Sequence, residues 1–258
     1  MSSLDNNKPF NTSLFEKQFN GFFVPNHNAK IIRDAIENGT APFLPDNTGK
    51  INAEPIINGN TGFCLNAKDL LPLQIIKGEN SNMVATFKTV QNAGTRVIEG
   101  EKGFFYNFQR EDKSVGTAQF FFPEQTQEPE VVKAAILEKM NKAYAKGFPK
   151  LNKTLEITSA EPEEYLANYV AACKTGAKLS VNPEVAEEFK QNIAPLLKNQ
   201  TARLENKNQE METLGQFMFK VDQKANEISK ELFEEVKREN KKQFAQTKKK
   251  EQEQEIVF

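Results

Sequence analysis

The sequence predicts an α+β protein, with an N-terminal mixed α/β domain carrying a small antiparallel sheet and an all-α C-terminal region with a long helix. Three observations predict this. Composition changes near residues 123–130: most glycines, the β-branched runs and the Phe clusters come before, and the helix formers Glu, Lys, Gln, Ala and Leu come after. Residues Arg96–Ile98, the Gly-Glu-Lys-Gly turn at 100–103 and Phe104–Gln109 read as strand, turn, strand. Leu214, Met218, Val221, Ala225, Ile228 and Leu232 then follow alternating steps of four and three, the mark of a long helix with one apolar seam. The expected divisions are a flexible N-terminus at 1–13, a mixed domain at 14–126, a helical region at 127–250 and a tail at 251–258.

The elements follow in order. Ile31, Ile32, Ala35 and Ile36 share one face of a helix over 28–38, and Gly39 ends it. Pro42, Pro45, Pro55 and the Asn-Gly step at 58–59 make 40–62 a loop. Residues 65–76 suit a helix that Pro72 interrupts. Residues 84–93 suit a short helix after an extended entry, and a last strand covers Ala118–Phe122. Helices are expected at about 128–146, 161–174, 183–198 and 201–250. The seam of the last spans only about two to three heptads, short for an independent coiled coil, so packing within its own region is the plainer reading. Its end carries Lys241, Lys242, Lys248, Lys249 and Lys250, which suit a solvated helix end or a phosphate contact.

The totals exclude several classes. The formal net charge of the 258 residues is −1, which argues against a uniformly basic coat for nucleic acid but leaves room for a local groove. Cys64 and Cys173 are too few for a disulfide framework, and a reducing, cytoplasmic setting is expected. No stretch has the apolar length of a membrane span, and the N-terminus lacks a signal-peptide core. His27 is the single histidine, so an HExxH zinc site and a Cys/His structural zinc site cannot be assembled within the chain. The phosphate loop GxxxxGK[ST] and the GxGxxG fingerprint are absent, and nothing pairs the many carboxylates. The expectation is a protein that is not an enzyme and needs no metal or cofactor.

The informative segment is VATFKTVQNAGTRVIEGEKG at 84–103. Phe87 and Lys88 open a short helix, Arg96 enters a strand, and Lys102 stands in a tight turn between Gly100 and Gly103. Glycines let a backbone approach a ligand, and a ring beside cations suits a single strand, whose bases stack while its phosphates meet the charges. The same pattern also suits a plain hairpin with a solvated lysine.

This region resembles the N-terminal domain of ArdC-type antirestriction proteins, which are carried by plasmids and other mobile elements. The resemblance covers about residues 14–126. It rests on Gly39-Thr40-Ala41-Pro42-Phe43, on Thr61, Gly62 and Asn66, and on Thr86-Phe87-Lys88. It continues through Gly94, Val97 and Gly100-Glu101-Lys102-Gly103 to Phe120–Phe122 and Gln125. It implies a mixed α/β fold and binding of single-stranded DNA without strong sequence preference. Lys88, Arg96 and Lys102 would meet phosphate, Phe87 would stack or join the core, and Asn66 would bond a base or cap its helix. Two departures stand out: Phe43 takes a place often held by Trp, and the family's HExxH zinc peptidase-like domain is replaced by helices without histidine. The functional expectation is a non-catalytic single-stranded-DNA-binding protein of a plasmid, phage or other mobile element, with RNA as the other strand chemistry and the C-terminal helices serving self-association or a protein partner. The alternatives are a protein-binding inhibitor of a host defence nuclease and a helical dimerising adaptor.

Overall fold

The computed structural model describes residues 26–109, 115–144, 148–202 and 214–255. The expected flexible N-terminus at 1–13 and the end of the tail at 256–258 lie outside these. The side chains of the basic cluster from Lys241 to Lys250 lie outside the described side chains.

Helix α1, Asn26–Glu37, buries Ala29, Ile32, Ala35 and Ile36, and Ile31 of the expected face is partly buried against the same core. Gly39 ends it at φ +68°, and the N–H of Thr40 bonds back to the Ala35 carbonyl at 2.8 Å. The short strands β1, Lys50–Ile51, and β2, Ile57–Asn58, lead into α2, Ala67–Ile76. The expected interruption at Pro72 does not occur. A proline inside a helix costs about 3 kcal/mol. Leu70, Leu71 and Leu73 around it are fully buried, and each contributes about 1.5–3 kcal/mol, so burial wins.

Strand β3, Met83–Thr86, passes directly into α3, Phe87–Asn92, where the Thr86 hydroxyl accepts from the Thr89 N–H. Strands β4, Phe104–Gln109, and β5, Val115–Phe121, then pair antiparallel. The expected strand at Arg96–Ile98 does not form, and it is not the partner of Phe104–Gln109. Val97 makes one isolated bridge to Thr126, because the chain after β5 returns along this segment. Ile98 donates to Gln125 and Gln127 donates to Arg96, both at 2.9 Å.

Four strands form a sheet in the order β2-β3-β5-β4, parallel at β2-β3 and antiparallel elsewhere. Alternation gives it two apolar faces. Val84, Phe104 and Phe120 face the main core, whereas Ile57 and Ala85 face a smaller one with Val90 and with Val132 and Ile136 of α4, Pro129–Ala143.

The C-terminal region is mainly helical and ends in a long helix, as expected. It also contributes two short strands that the sequence reading lacked: β6, Thr154–Ile157, and β7, Lys178–Val181, joined in parallel across α5, Pro162–Thr175. Strand β1 from the first half adds antiparallel to β7, with Ile51 opposite Leu179. Helices α6, Pro183–Ala202, and α7, Leu214–Glu255, complete the chain. The predicted seam of α7 is used inside the chain: Leu214, Met218, Val221, Ala225 and Leu232 are buried, and the helix packs on α5 and α2.

The core does not divide at residue 127. One cluster joins Ile32, Phe43 and Leu70 from the first half to Tyr165, Tyr169, Phe189 and Met218 from the second. The Tyr165 hydroxyl donates to the Phe43 carbonyl at 2.9 Å, and that of Tyr169 donates to Gln74 Oε1 at 3.0 Å. At the N-terminus of α2 the Ala67 N–H is met by the Asp222 carboxylate of α7 at 2.9 Å. Asp222 is itself paired with Lys174 of α5 at 3.2 Å.

Candidate nucleic-acid interface

The register of the four-stranded sheet assembles the candidate site. Phe120 pairs with Thr86, the last residue of β3, and Phe87 follows it as the first residue of α3. Gln119, beside Phe120 in β5, pairs with Phe105. Gln119 and Phe105 are thus neighbours in the sheet, and Phe87 stands just past the end of the strand that pairs with β5. The two rings are 54% and 55% exposed, which is unusual for Phe and leaves their faces free for stacking. Phe87 is thus not a core residue. Phe105 was not singled out in the sequence, because any ring of Phe104, Phe105, Tyr106 and Phe108 could have faced out. Tyr106 instead stacks on Phe120 at 3.8 Å.

Two cations stand near these rings in the chain. Lys88 is the second residue of α3, and Lys102 directly precedes Gly103 and β4. Both are exposed, as is Arg96. Among the described residues none of the three takes part in an ion pair. Gly100 turns the chain at φ +91°. Gly103 is required for close packing, since a Cβ there would lie 2.8 Å from the Phe121 ring and 2.9 Å from the Gln119 side chain.

Gln125 fixes the Lys102 turn. Its Oε1 accepts from the Phe122 N–H at 2.9 Å, and its Nε2 donates to Glu101 at 2.8 Å and to the Lys102 carbonyl at 3.1 Å. One side chain thereby ties the end of β5 to the turn before β4. Arg96 lies on the segment before this turn, where its carbonyl accepts from the Gln127 N–H.

Two candidates fall elsewhere. Asn66 is exposed at the N-cap of α2, but its side chain makes no capping bond. It stands on the side of the sheet that carries Val84 and Phe120, away from Phe105, and its neighbour Ala67 is held by Asp222. Phe43, the ring at the Pro-aromatic step, is fully buried, edge-on to Tyr169 at 5.8 Å and to Phe189 at 6.1 Å.

No family model matches this chain, and no curated protein matches it. Among solved structures it is similar to the metal-free crystal structure of the antirestriction ArdC protein from plasmid R388. Sequence identity is 12%, the TM-score is 0.47, and the match covers 82% of this chain and 97% of that one.

The electrostatics of the core set it apart from the interface. Burial raises the carboxyl of Asp69 to about 6, against the opposing pull of Lys68. Burial also raises Asp222, with Lys174 opposing. The thiol of Cys64 is pushed up to about 12 by burial and that of Cys173 higher still, so both are held as neutral thiols rather than nucleophiles. No helix among the described residues is long and apolar enough to cross a membrane.

Proposed function

We propose that the protein binds single-stranded DNA, without catalysis, through the surface that carries Phe87, Gln119 and Phe105. The observation that carries this reading is the pair of exposed rings, Phe105 on the sheet and Phe87 at the start of the helix that follows β3, with Lys88 and Lys102 exposed and outside any ion pair. Bases of a flexible strand can stack on such platforms while the lysines follow its phosphates. Every base has a stacking face, so the contact is tolerant of sequence. The motif resemblance supplies the setting: a mobile element whose DNA enters or replicates in a bacterial cytoplasm.

The test is fluorescence anisotropy with a labelled single-stranded DNA oligomer at two salt concentrations, against duplex DNA and RNA. A Lys88→Ala/Lys102→Ala variant is expected to bind weakly and with a shallower salt dependence, because each lost phosphate contact removes counterion release. A Phe87→Ala/Phe105→Ala variant is expected to lose about 1–3 kcal/mol per stacked base. If the parent binds no nucleic acid at low salt, the reading fails. The rival is then a protein-binding inhibitor of a defence nuclease, for which the exposed Val131 and Leu137 of α4 offer apolar contact.

A further inference from the structure

The loop between β2 and α2 contains a side chain fixed far more tightly than its exposure calls for. Asn60 is exposed, yet its Oδ1 accepts from two hydroxyls, that of Thr86 at 2.9 Å and that of Thr89. Both threonines are buried. The Thr86 oxygen also accepts from the Thr89 N–H at 3.3 Å, and the two hydroxyl oxygens lie 3.1 Å apart. The backbone of the loop is held as well: Gly59 donates to Val84 at 2.7 Å, Asn60 to the Asn58 side chain at 2.9 Å, and Gly62 to the Asn58 carbonyl at 2.7 Å.

A primary amide has one acceptor oxygen and a nitrogen with two protons. With the oxygen bound by Thr86 and Thr89, the Nδ2 group is the end of the amide left for another partner. Among the described residues it has no hydrogen-bond partner. A surface asparagine would ordinarily keep its rotamer freedom, so here the structure holds a donor at a set position. That position is beside the first turn of α3, the turn that begins with the exposed ring of Phe87.

We infer that Asn60 is a base-contacting residue whose Nδ2 donates to the acceptor edge of a nucleobase stacked on Phe87. The inference rests on the single-strand reading above and adds a contact to the base where the lysines meet only phosphate. A donor-only group favours edges rich in oxygen and ring nitrogen, such as thymine O2 or O4. It supplies a modest base preference rather than a sequence code.

The substitution that isolates this role is Asn60→Asp. It keeps an oxygen for Thr86 and Thr89, removes the outward donor and adds one negative charge. If Asn60 serves only to hold the loop, the charge lowers affinity equally for a strand with bases and one without. Anisotropy is measured with oligodeoxythymidine and with an abasic deoxyribose-phosphate oligomer of equal length, on the parent, Asn60→Asp and Asn60→Ala, with thermal melting recorded for each. The expected result is unchanged melting for Asn60→Asp. Its affinity for oligodeoxythymidine should fall by about tenfold, the scale of one lost hydrogen bond in a binding site. On the abasic strand the loss should be clearly smaller, limited to the repulsion by the added charge. Asn60→Ala adds no charge and should show the same base-dependent loss, and it serves the test should Asp destabilise the loop. Equal binding of parent and variants to oligodeoxythymidine overturns the inference, as does a loss that is equal on the two strands, which would mean that the base is not what Asn60 meets. A parent that binds neither strand defeats the underlying reading instead.

Discussion

Asp69 shows how a single buried group sets a pH response. It is 8% exposed, and its carboxyl is raised from 3.8 to about 6, chiefly by loss of water. Between those values the folded chain keeps a proton that the unfolded chain has released. Stability therefore falls as pH rises through this window, and the penalty is complete above about 6. Asp222, also raised by burial, adds a slope of the same sign. Asp69→Asn removes the larger part of the penalty. It also takes the partner from Lys68, which sits 3.3 Å away and is held in addition by the Asn107 carbonyl. The expected outcome is a gain of about 1–2 kcal/mol at neutral pH, with little change at pH 4. Urea unfolding at the two pH values reads it, and a loss of stability at neutral pH would show that the Lys68 pair outweighs the burial cost.

Among the elements, the loop from Asn58 to Phe63 depends most on one residue. Gly62 has φ +78°, and a Cβ there would lie 2.5 Å from the Lys139 carbonyl oxygen of α4. That neighbour is helix backbone and has no freedom to yield. Gly62→Ala is expected to cost about 2–4 kcal/mol, combining left-handed strain with the clash. Because the same loop carries Asn60, single-strand affinity should fall with it. A chemical melt paired with a binding isotherm checks both, and an unchanged melting profile would show that the loop and α4 are not docked as described. The elements that were legible in the sequence are those with a full period of pattern. Ile32, Ala35 and Ile36 marked α1, and Val221, Ala225 and Leu232 marked α7. Strands β1 and β2 are two residues each and exist only through their partners, so no local signal announced them. Strands β6 and β7 are four residues each, too short for alternation to stand out between strong helices. Of the candidate site, Phe87, Lys88 and Lys102 stand out in the sequence, where ring and charge sit together. Phe105 and Asn60 do not, because strand register exposes the one and two threonine hydroxyls from another element orient the other.

For the molecule as a whole, the change of composition near residue 127 separates two styles of sequence but not two cores. Phe43, Tyr165, Tyr169 and Phe189 are fully buried in one aromatic cluster that draws on both sides. Strand β1 is completed by β7 in the same way. A fragment of residues 14–126 would expose the apolar faces of α1 and α2 that α5, α6 and α7 cover. It is expected to lack the dispersed amide spectrum of the intact chain and to bind a hydrophobic dye. A well-dispersed spectrum from that fragment would show that the sheet and its two helices suffice. The long-range packing also ties the proposed interface to the far end of the chain, since α2 lies beneath the sheet that presents Phe105.

The bond from Ala67 to Asp222 spans 155 positions of sequence. A ribosome adding roughly 5–20 residues per second takes about 8–30 s to travel that far. Throughout that interval the N-terminus of α2 has been made and its acceptor has not. The leucines of α2 and the ring of Phe43 must wait in the same way for α5 and α7. Nascent chains stalled before Leu214 should therefore remain clients of chaperones and targets of proteases. Acquisition of protease resistance should come in one late step, as α7 clears the exit tunnel.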